Sequence, residues 1–363
     1  MSDSQPPEPA AKKESAPAGS INNRINSART LFTGDFARKG YLSAADQGLI
    51  SVTNFLAALI LARQVDPAEF GVYTVGFAAL HLVRAILDGL VVQPMNALGS
   101  PMEDGSFRSY ISASGVIQIL LALGFAVVTI AAGWLLTAWG NDTAGPALGA
   151  MWFMFLTWPL QDFIRRIFYA RNRIMSAVIN TFIASAVRLG VLAVFVFQGN
   201  LSGVSGLDAI GWGSLAGFLV GIPQARDQWT YRFDSLKGVW KRNWVAGRWI
   251  LGGSVANWVA LEVYPILAAG MISFAAAGIY RALQLPVAPV HVILRAADTF
   301  ITPRAAAINA RDGFRGVNRV LRLSYVLVGV PVLVLLALAV LFVEPVLSFL
   351  FGETYITYAA GMG

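Results

Sequence analysis

Residues 111–136 read ISASGVIQILLALGFAVVTIAAGWLL, a run of 26 residues that contains no charge. A helix needs about 20 apolar residues to cross the roughly 30 Å of hydrocarbon in a bilayer. The run is continuous, whereas a strand of a membrane β-barrel alternates between apolar and polar residues over about ten positions. The stretch therefore predicts a membrane-spanning α-helix.

The rest of the chain has the same character. Of its 363 residues, 56% are hydrophobic and only 13% are charged, about half the charged share of a soluble domain. The apolar runs predict nine spans, which are residues 43–63, 70–93, 111–136, 147–168, 174–197, 207–224, 245–271, 275–301 and 321–343. Residues 1–40 lack such a run and are rich in Pro, Ala, Ser and Lys, so they predict a disordered tail.

The basic residues predict the orientation of these spans. The tail and the even-numbered loops, with the span edges beside them, hold 22 of the 27 lysines and arginines, whereas the odd-numbered loops hold only Arg63. Because cytoplasmic loops carry an excess of Lys and Arg, we expect a multi-pass protein of the cell (inner) membrane with a cytoplasmic N-terminus. The net charge of +7 does not indicate nucleic-acid binding, because the basic residues form no stripe with interleaved aromatics.

Several kinds of chemistry are excluded by composition. The chain has no cysteine and only two histidines, so it predicts no disulfide, thiol catalysis or metal centre. It contains no phosphate-binding loop of the Walker type, and none of its loops is long enough for a soluble catalytic domain. We therefore expect no catalytic residue, no metal and no cofactor, and a function other than that of an enzyme.

Two parts of the chain resemble each other at an offset of 203 to 211 residues. The matches occur in the same order in both copies. Ser51-Val52-Thr53-Asn54 matches Ser254-Val255-Ala256-Asn257, and Gly71-Val72-Tyr73 matches Gly278-Ile279-Tyr280. Further along, His81, Arg84, Asp88 and Pro94 match His291, Arg295, Asp298 and Pro303. Six spans separate the copies, so both have the same orientation, as in a parallel repeat about an axis along the membrane normal.

The repeat predicts the domain organisation. We expect an all-α integral membrane protein with two lobes, a complete six-helix lobe over residues 41–243 and a partial second lobe over residues 244–363, truncated after about three helices. Two-lobed architectures of this kind bind their substrate between the lobes and alternate access to it.

Charged and polar side chains inside the spans are the candidate site residues, because such groups face a bundle interior or a cavity rather than lipid. The candidates for binding an anionic head group are Arg84, Arg188, Arg281, Gln284, His291 and Arg295. The candidates for gating or for binding a coupling cation, a proton or sodium, are Asp88, Glu262 and Asp298. A second interpretation is open, in which pairs such as Arg84–Asp88 and Arg295–Asp298 only tie helices together.

Spacing places these candidates on two helical faces. His81, Arg84 and Asp88 share one face of the second span, and the polar residues from Arg281 to Asp298 share one face of the eighth. Because the two stripes lie at matching positions of the repeat, we expect both to line one cavity. Asn54 would either hydrogen-bond between helices or line that cavity.

Two further features have simpler interpretations. Gly213, Gly217 and Gly221 form a face of small residues on the sixth span, which predicts close helix packing. The arginines of residues 165–173 would attract anionic lipid head groups, or would merely mark a cytoplasmic loop.

Three stretches resemble a known family. DQGLISVTNFLAALILARQVDPAEFGVYTVGFAAL (Asp46–Leu80), QDFIRRIFYARNR (Gln161–Arg173) and LFGETY (Leu350–Tyr355) are similar to segments of the oligosaccharide-lipid flippases. These polysaccharide biosynthesis transporters belong to the multidrug/oligosaccharidyl-lipid/polysaccharide exporter superfamily. The resemblance implies two six-helix lobes, a cationic central cavity and movement of an undecaprenyl-diphosphate-linked sugar to the outer leaflet. Arginines would suit the diphosphate, since they stay charged and offer paired donors.

Two other functions are compatible with this sequence. A drug/cation antiporter of the same superfamily would favour carboxylates over arginines in its cavity, and here arginines slightly outnumber carboxylates among the intramembrane charges. A truncated chain would also suit a non-transporting membrane partner in a glycan assembly complex.

Overall fold

Helices make up all the regular structure of the described residues. The computed structural model describes residues 35–99, 101–231, 234–285 and 328–338, with single residues at 290, 318, 326, 341 and 345. The helices are α1 Asp35–Gln64, α2 Pro67–Leu87, α3 Asp104–Ala138, α4 Ala144–Ala150, α5 Trp152–Ala170, α6 Ile174–Phe197, α7 Gly203–Gln224, α8 Leu236–Glu262, α9 Tyr264–Met271, α10 Phe274–Gln284 and α11 Val328–Leu338.

Five of these helices are long and apolar enough to cross a membrane: α1, α2 with its extension to Gly99, α3, α6 and α7. The pair α8–α9, bent by 55°, counts as a sixth if it is one span. The fourth predicted span, residues 147–168, consists instead of α4 and α5, which meet at Met151. Less than half of the eighth predicted span, residues 275–301, lies within the described residues, and the ninth, residues 321–343, is described mainly over Val328–Leu338, so the count of nine stays a prediction.

Local signals in the sequence start the helices. Asp66 caps α2, because its side chain accepts hydrogen bonds from the backbone of Ala68 at 2.8 Å and of Glu69 at 2.9 Å. Pro67 at the first helical position has the φ that a helix requires. Ser202 and Ser205 form a reciprocal capping box at the start of α7. These caps fix where α2 and α7 enter the bundle.

The end of α2 is wound more loosely than its beginning. Two π-helical turns, Asp88–Val92 and Met95–Gly99, follow the α-helical part on either side of Pro94. This end packs closely on α8, since a Cβ on Gly247 would lie 1.8 Å from the carbonyl oxygen of Gly89. Turns of this type are frequent at functional sites, and here the first one begins at Asp88, a candidate residue.

The beginning of α2 makes a reciprocal contact with α10. A Cβ on Gly71 would lie 1.7 Å from the carbonyl oxygen of Phe274, and a Cβ on Gly278 would lie 2.2 Å from that of Pro67. Both matched pairs, Gly71 with Gly278 and Pro67 with Phe274, differ by 207 positions, within the offset of the repeat. Contacts of the form i to j and j to i arise across a twofold axis. The two close approaches therefore have the form that the predicted repeat requires, while the repeat itself and the boundary between residues 243 and 244 stay predictions.

Apolar side chains lie on both the inside and the outside of the bundle. Leu61, Phe70 and Leu207 are fully buried between α1, α2 and α7. On the outer surface of α3, Val127 and Val128 are 63% and 65% exposed. An apolar exterior of this kind suits contact with lipid.

Candidate functional site

A cavity of about 110 Å³ lies among α1, α2, α5, α6 and α7. All five helices belong to the predicted first lobe, and their polar residues turn inward at this point. The polar part of the lining consists of Thr53, Asn54, His81, Arg84, Gln161, Asp162, Arg165, Thr181, Ser185, Arg188 and Ser214. Phe77 and Trp158 add aromatic surface.

Arg188 is buried in this wall with neutral partners. Its Nη1 donates a hydrogen bond to Asn54 Oδ1 at 2.7 Å, and its Nη2 donates to the Tyr73 hydroxyl at 2.9 Å. Its Nε has no hydrogen-bond partner, and no carboxylate pairs with it, among the residues that the structure describes. Only 8% of the residue is exposed. A buried cation without a counter-ion is costly, so the surroundings of Arg188 favour an incoming anion.

Close packing of α6 and α7 holds Arg188 in place. A Cβ on Gly213 would lie 2.5 Å from the carbonyl oxygen of Ala184 and 2.8 Å from Cβ of Arg188. Only a glycine lets α7 approach α6 at this level. The structure therefore confirms the packing predicted for the small residues of the sixth span. On the same wall, two helical turns from Arg188, the buried Thr181 hydroxyl has no partner among the described residues.

A second buried arginine, Arg165 on α5, is fully neutralised. Its Nη1 donates to Asp46 Oδ2 and its Nη2 to Asp162 Oδ1, both at 2.8 Å. Asp46 also accepts a hydrogen bond from the Tyr169 hydroxyl at 2.6 Å. These contacts join α1 to α5 through charge-assisted hydrogen bonds, the strongest class in proteins.

The ion-pair network continues from Arg165 towards α2. Asp162 accepts a hydrogen bond from Arg166 Nε at 3.2 Å, and Arg166 Nη2 lies 3.7 Å from Asp88 Oδ1. Asp88 Oδ2 in turn lies 3.6 Å from Arg84 Nε. The alternative interpretation of Arg84–Asp88 as an ion pair thus has a geometric basis, although these last distances exceed hydrogen-bond length.

Charge is distributed unevenly around the cavity. The network holds three arginines and three aspartates, so its formal charges cancel; its members are Arg84, Arg165, Arg166, Asp46, Asp88 and Asp162. Arg188 stands apart from this network, and no carboxylate among the described residues compensates its positive charge in the wall. A region of this kind is suited to a small anion.

His81 and Glu262 connect the cavity to α8. His81 Nδ1 lies 2.9 Å from Glu262 Oε1, and nearby Trp258 Nε1 donates to the carbonyl oxygen of Ala78 at 2.8 Å. Glu262, predicted as a gating residue, therefore meets His81 where α8 crosses α2.

The candidates on α10 lie beside the cavity rather than in its wall. The Arg281 guanidinium carbon lies 5.8 Å from the centre of the Phe77 ring, and Phe77 lines the cavity. Arg281 Nη1 donates to Gln284 Oε1 at 3.3 Å. His291, Arg295 and Asp298 lie outside the described residues, so the single cavity shared by both stripes stays a prediction.

The network around Arg165 is the main part of the site that the sequence does not predict. The sequence predicts that the arginines of residues 165–173 bind lipid head groups or mark a cytoplasmic loop, but Arg165 is only 8% exposed and faces the cavity. The other arginines of this stretch pair with Asp162 and Asp88 (Arg166), with Asp104 (Arg171) and with Asp227 (Arg173). The missed signal was Asp162, which precedes Arg165 by three residues and Arg166 by four, the spacings of helical ion pairs.

Comparison with known proteins agrees with this architecture. The family model described as "Polysaccharide biosynthesis protein" matches residues 37–307. No curated protein sequence matches the chain.

Two solved structures have a similar fold. One is the inward-facing conformation of a multidrug resistance MATE family transporter of the MOP superfamily, with a TM-score of 0.65 and 14% identity over 84% of this chain and 73% of the other. The second is the crystal structure of a MATE protein with a single proline-to-alanine substitution, with a TM-score of 0.60 and 16% identity over 90% of this chain and 77% of the other. At these identities the likeness establishes the fold, an all-α transporter fold.

Proposed function

This chain belongs to the polysaccharide biosynthesis protein family, and from that premise we propose that it is a flippase for a polyprenyl-diphosphate-linked oligosaccharide. Family and fold make it a multi-pass membrane transporter. In the proposed role it moves the lipid-linked sugar across the cell (inner) membrane by alternating access, with its N-terminus in the cytoplasm. No covalent chemistry is needed.

The observation that carries the proposal is the uncompensated charge of Arg188. A diphosphate ester is a compact anion, and a guanidinium remains protonated while it offers planar, paired donors to phosphate oxygens. Nη1 and Nη2 are held by Asn54 and Tyr73, whose oxygens accept hydrogen bonds but bring no negative charge. The substrate would therefore supply the missing counter-charge when it enters the cavity.

The remaining candidates have supporting roles in this proposal. Arg84 lines the cavity and its side chain is 43% exposed, so it can turn towards a second phosphate. Arg281, Gln284, His291 and Arg295 would extend the cationic path in the second lobe. The hydroxyls and amides of Thr53, Gln161, Ser185 and Ser214 would face the sugar.

Asp88 is the member of the network best suited to take a coupling proton or sodium ion. Its contacts with Arg84 and Arg166 are 3.6 and 3.7 Å long, whereas Asp46 and Asp162 each accept a hydrogen bond from Arg165 at 2.8 Å. Less energy is needed to neutralise a carboxylate that is held loosely. Glu262 and Asp298 remain the proposed gating partners of Asp88.

A drug/cation antiporter would need a carboxylate available to a cationic substrate. Asp46, Asp88 and Asp162 each face at least one arginine, which favours the flippase. A non-transporting role in a glycan assembly complex would leave export unaffected by changes in the cavity.

The test is export in a strain from which the gene has been deleted. We expect lipid-linked oligosaccharide to accumulate in the inner leaflet, and expression of the wild-type chain to relieve the accumulation. Arg188→Gln should fail to do so although it is produced normally, whereas Arg226→Gln, at an exposed position outside the cavity, should succeed. Normal export without the gene would refute the flippase, and full rescue by Arg188→Gln would refute the assignment of its diphosphate site.

A further inference from the structure

The first half of α8 has an outward face of basic and aromatic side chains. Lys237, Trp240, Lys241, Trp244 and Arg248 follow the spacing of one helical face, and all five are exposed. We call them the basic–aromatic stripe. The opposite face, with Val239, Asn243 and Gly247, is buried against the bundle.

Two hydrogen bonds fix the depth of this stripe relative to the bilayer. Asp234, just before α8, accepts from the Ser109 hydroxyl, and Asn243 accepts from the Tyr110 hydroxyl, both at 2.7 Å. On α3, Ser109 and Tyr110 immediately precede Ile111, where the uncharged run begins. The start of α8 therefore lies level with the end of the hydrocarbon-spanning part of α3.

The length of α8 and α9 places the basic–aromatic stripe at the same depth in the bilayer. Residues 249–271 carry one charged residue, Glu262. At about 1.5 Å per residue their path is roughly 34 Å long, and with the 55° bend between α8 and α9 they span roughly 30 Å, enough for the hydrocarbon core. The 13 residues before them are not needed for the crossing. They would therefore lie in the headgroup region, where tryptophan rings are enriched.

The three cations of the stripe have no counter-ion in the part of the chain that the structure describes. Among the described residues, Lys237, Lys241 and Arg248 pair with no carboxylate, whereas Arg242 on the same helix pairs with Asp234. Trp240 and Trp244 stack with their ring centres 6.4 Å apart and remain 37% and 43% exposed. Three unpaired cations beside two amphipathic rings at headgroup depth match an anionic phospholipid better than an aqueous partner.

We propose that the basic–aromatic stripe of α8 is a binding site for the headgroup of an anionic phospholipid. The lysines and Arg248 contact the phosphate and headgroup oxygens, and the two tryptophans pack against the glycerol region and the upper acyl chain. This site is separate from the transport cavity and does not depend on the transported substrate.

The test uses the full chain in vesicles that contain brominated lipids, which quench tryptophan fluorescence on contact. At low ionic strength we expect brominated phosphatidylglycerol to associate about tenfold more strongly than brominated phosphatidylcholine, and the ratio to fall at high salt. The K237Q/K241Q/R248Q variant should lower the ratio towards one. Arg242→Gln, which removes a paired charge from the same helix, should leave it within about twofold of the wild type.

Two more variants keep the test decisive if the triple variant does not fold. K237R/K241R/R248K preserves the charges and should retain the ratio, and Lys241→Gln alone should reduce it about threefold. Retention of the wild-type ratio without the three charges would overturn the proposal, as would an equal loss in Arg242→Gln. A ratio near one in the wild type would also overturn it and would leave an acidic protein as the occupant.

Discussion

Arg165 and Arg188 line the same cavity and are equally buried, each with 8% of its surface exposed. Arg165 donates to the carboxylates of Asp46 and Asp162. Arg188 donates to an amide oxygen of Asn54 and to the Tyr73 hydroxyl. The lengths of the hydrogen bonds are similar for the two arginines, but within the part of the chain that the structure describes only Arg165 has its charge balanced by carboxylates.

The difference in counter-ions indicates that Arg165 has a structural role and Arg188 a role in binding. A buried arginine between two carboxylates ties helices together, and its loss leaves their charges unpaired. A buried arginine among neutral acceptors keeps its electrostatic attraction for an anion. The comparison therefore predicts that Arg165 stabilises the bundle, whereas Arg188 binds the diphosphate at the expense of stability.

The largest effect on stability is expected from Arg165→Ala. The substitution leaves Asp46 and Asp162 buried without their main partner, so the free energy of unfolding should fall by about 3–5 kcal/mol. Denaturant unfolding of the purified protein in detergent measures it. Arg188→Gln serves as the matched variant and should leave the free energy of unfolding unchanged or raise it by up to about 1 kcal/mol, because it removes a buried charge without a carboxylate partner. An equal loss of stability in both variants would show that the two arginines do not differ in role.

Gly213→Ala tests whether close helix packing holds Arg188 in position. The added methyl would overlap the Ala184 carbonyl and Arg188 Cβ, so α7 must move away at a cost of about 1–3 kcal/mol. Export should fall as well, because Arg188 shifts from its partners. Gly190→Ala on the same helix as Arg188 meets no atom within 4 Å and should be neutral; a loss there equal to that of Gly213→Ala would contradict the packing argument.

Asn54→Asp would give Arg188 a carboxylate partner, as Arg165 already has. The new carboxylate would lie where Asn54 Oδ1 now accepts from Nη1 at 2.7 Å, and would neutralise the guanidinium. We expect thermal stability to be unchanged or higher by about 1 kcal/mol, while export falls at least about tenfold. Asn200→Asp, at an exposed position, adds the same charge as a control. Export at the wild-type level in Asn54→Asp would show that the charge of Arg188 is not used.

The smallest effect concerns the pair Arg173–Asp227, an exposed counterpart of the buried pair Arg165–Asp162. Partial burial alone would raise the pKa of Asp227, but hydrogen bonds from Arg173 and Gln228 hold this pKa below its usual range. A carboxyl of lowered pKa contributes stability that is present above about pH 4 and lost as the pH falls through its folded pKa.

Asp227→Asn should therefore destabilise the protein at pH 7 by less than about 1 kcal/mol, because the pair is half exposed and solvent screens it. The difference between variant and wild type should shrink towards pH 3 in thermal unfolding experiments. A loss as large as that of Arg165→Ala would contradict the role assigned to burial.

Much of the fold followed from the sequence, because apolar runs and caps are local signals. The candidate site could be predicted from the sequence only in part. Arg188 could be selected because an arginine inside an apolar run is expensive, but Tyr73 and Asn54, 115 and 134 residues away in the chain, become its partners only through helix packing. For Arg165 the sequence predicts a position at a loop, because basic residues near span ends usually mark topology. Its buried environment depends on Asp46, from another helix.

The measurement that tests the account most directly is diphosphate binding by the purified chain. Isothermal titration with farnesyl diphosphate should show binding to the wild type, affinity weakened by about tenfold or more in Arg188→Gln, and unchanged affinity in Asp227→Asn. Binding to Arg188→Gln that is as tight as binding to the wild type would contradict the claim that the unbalanced charge of Arg188 receives the substrate.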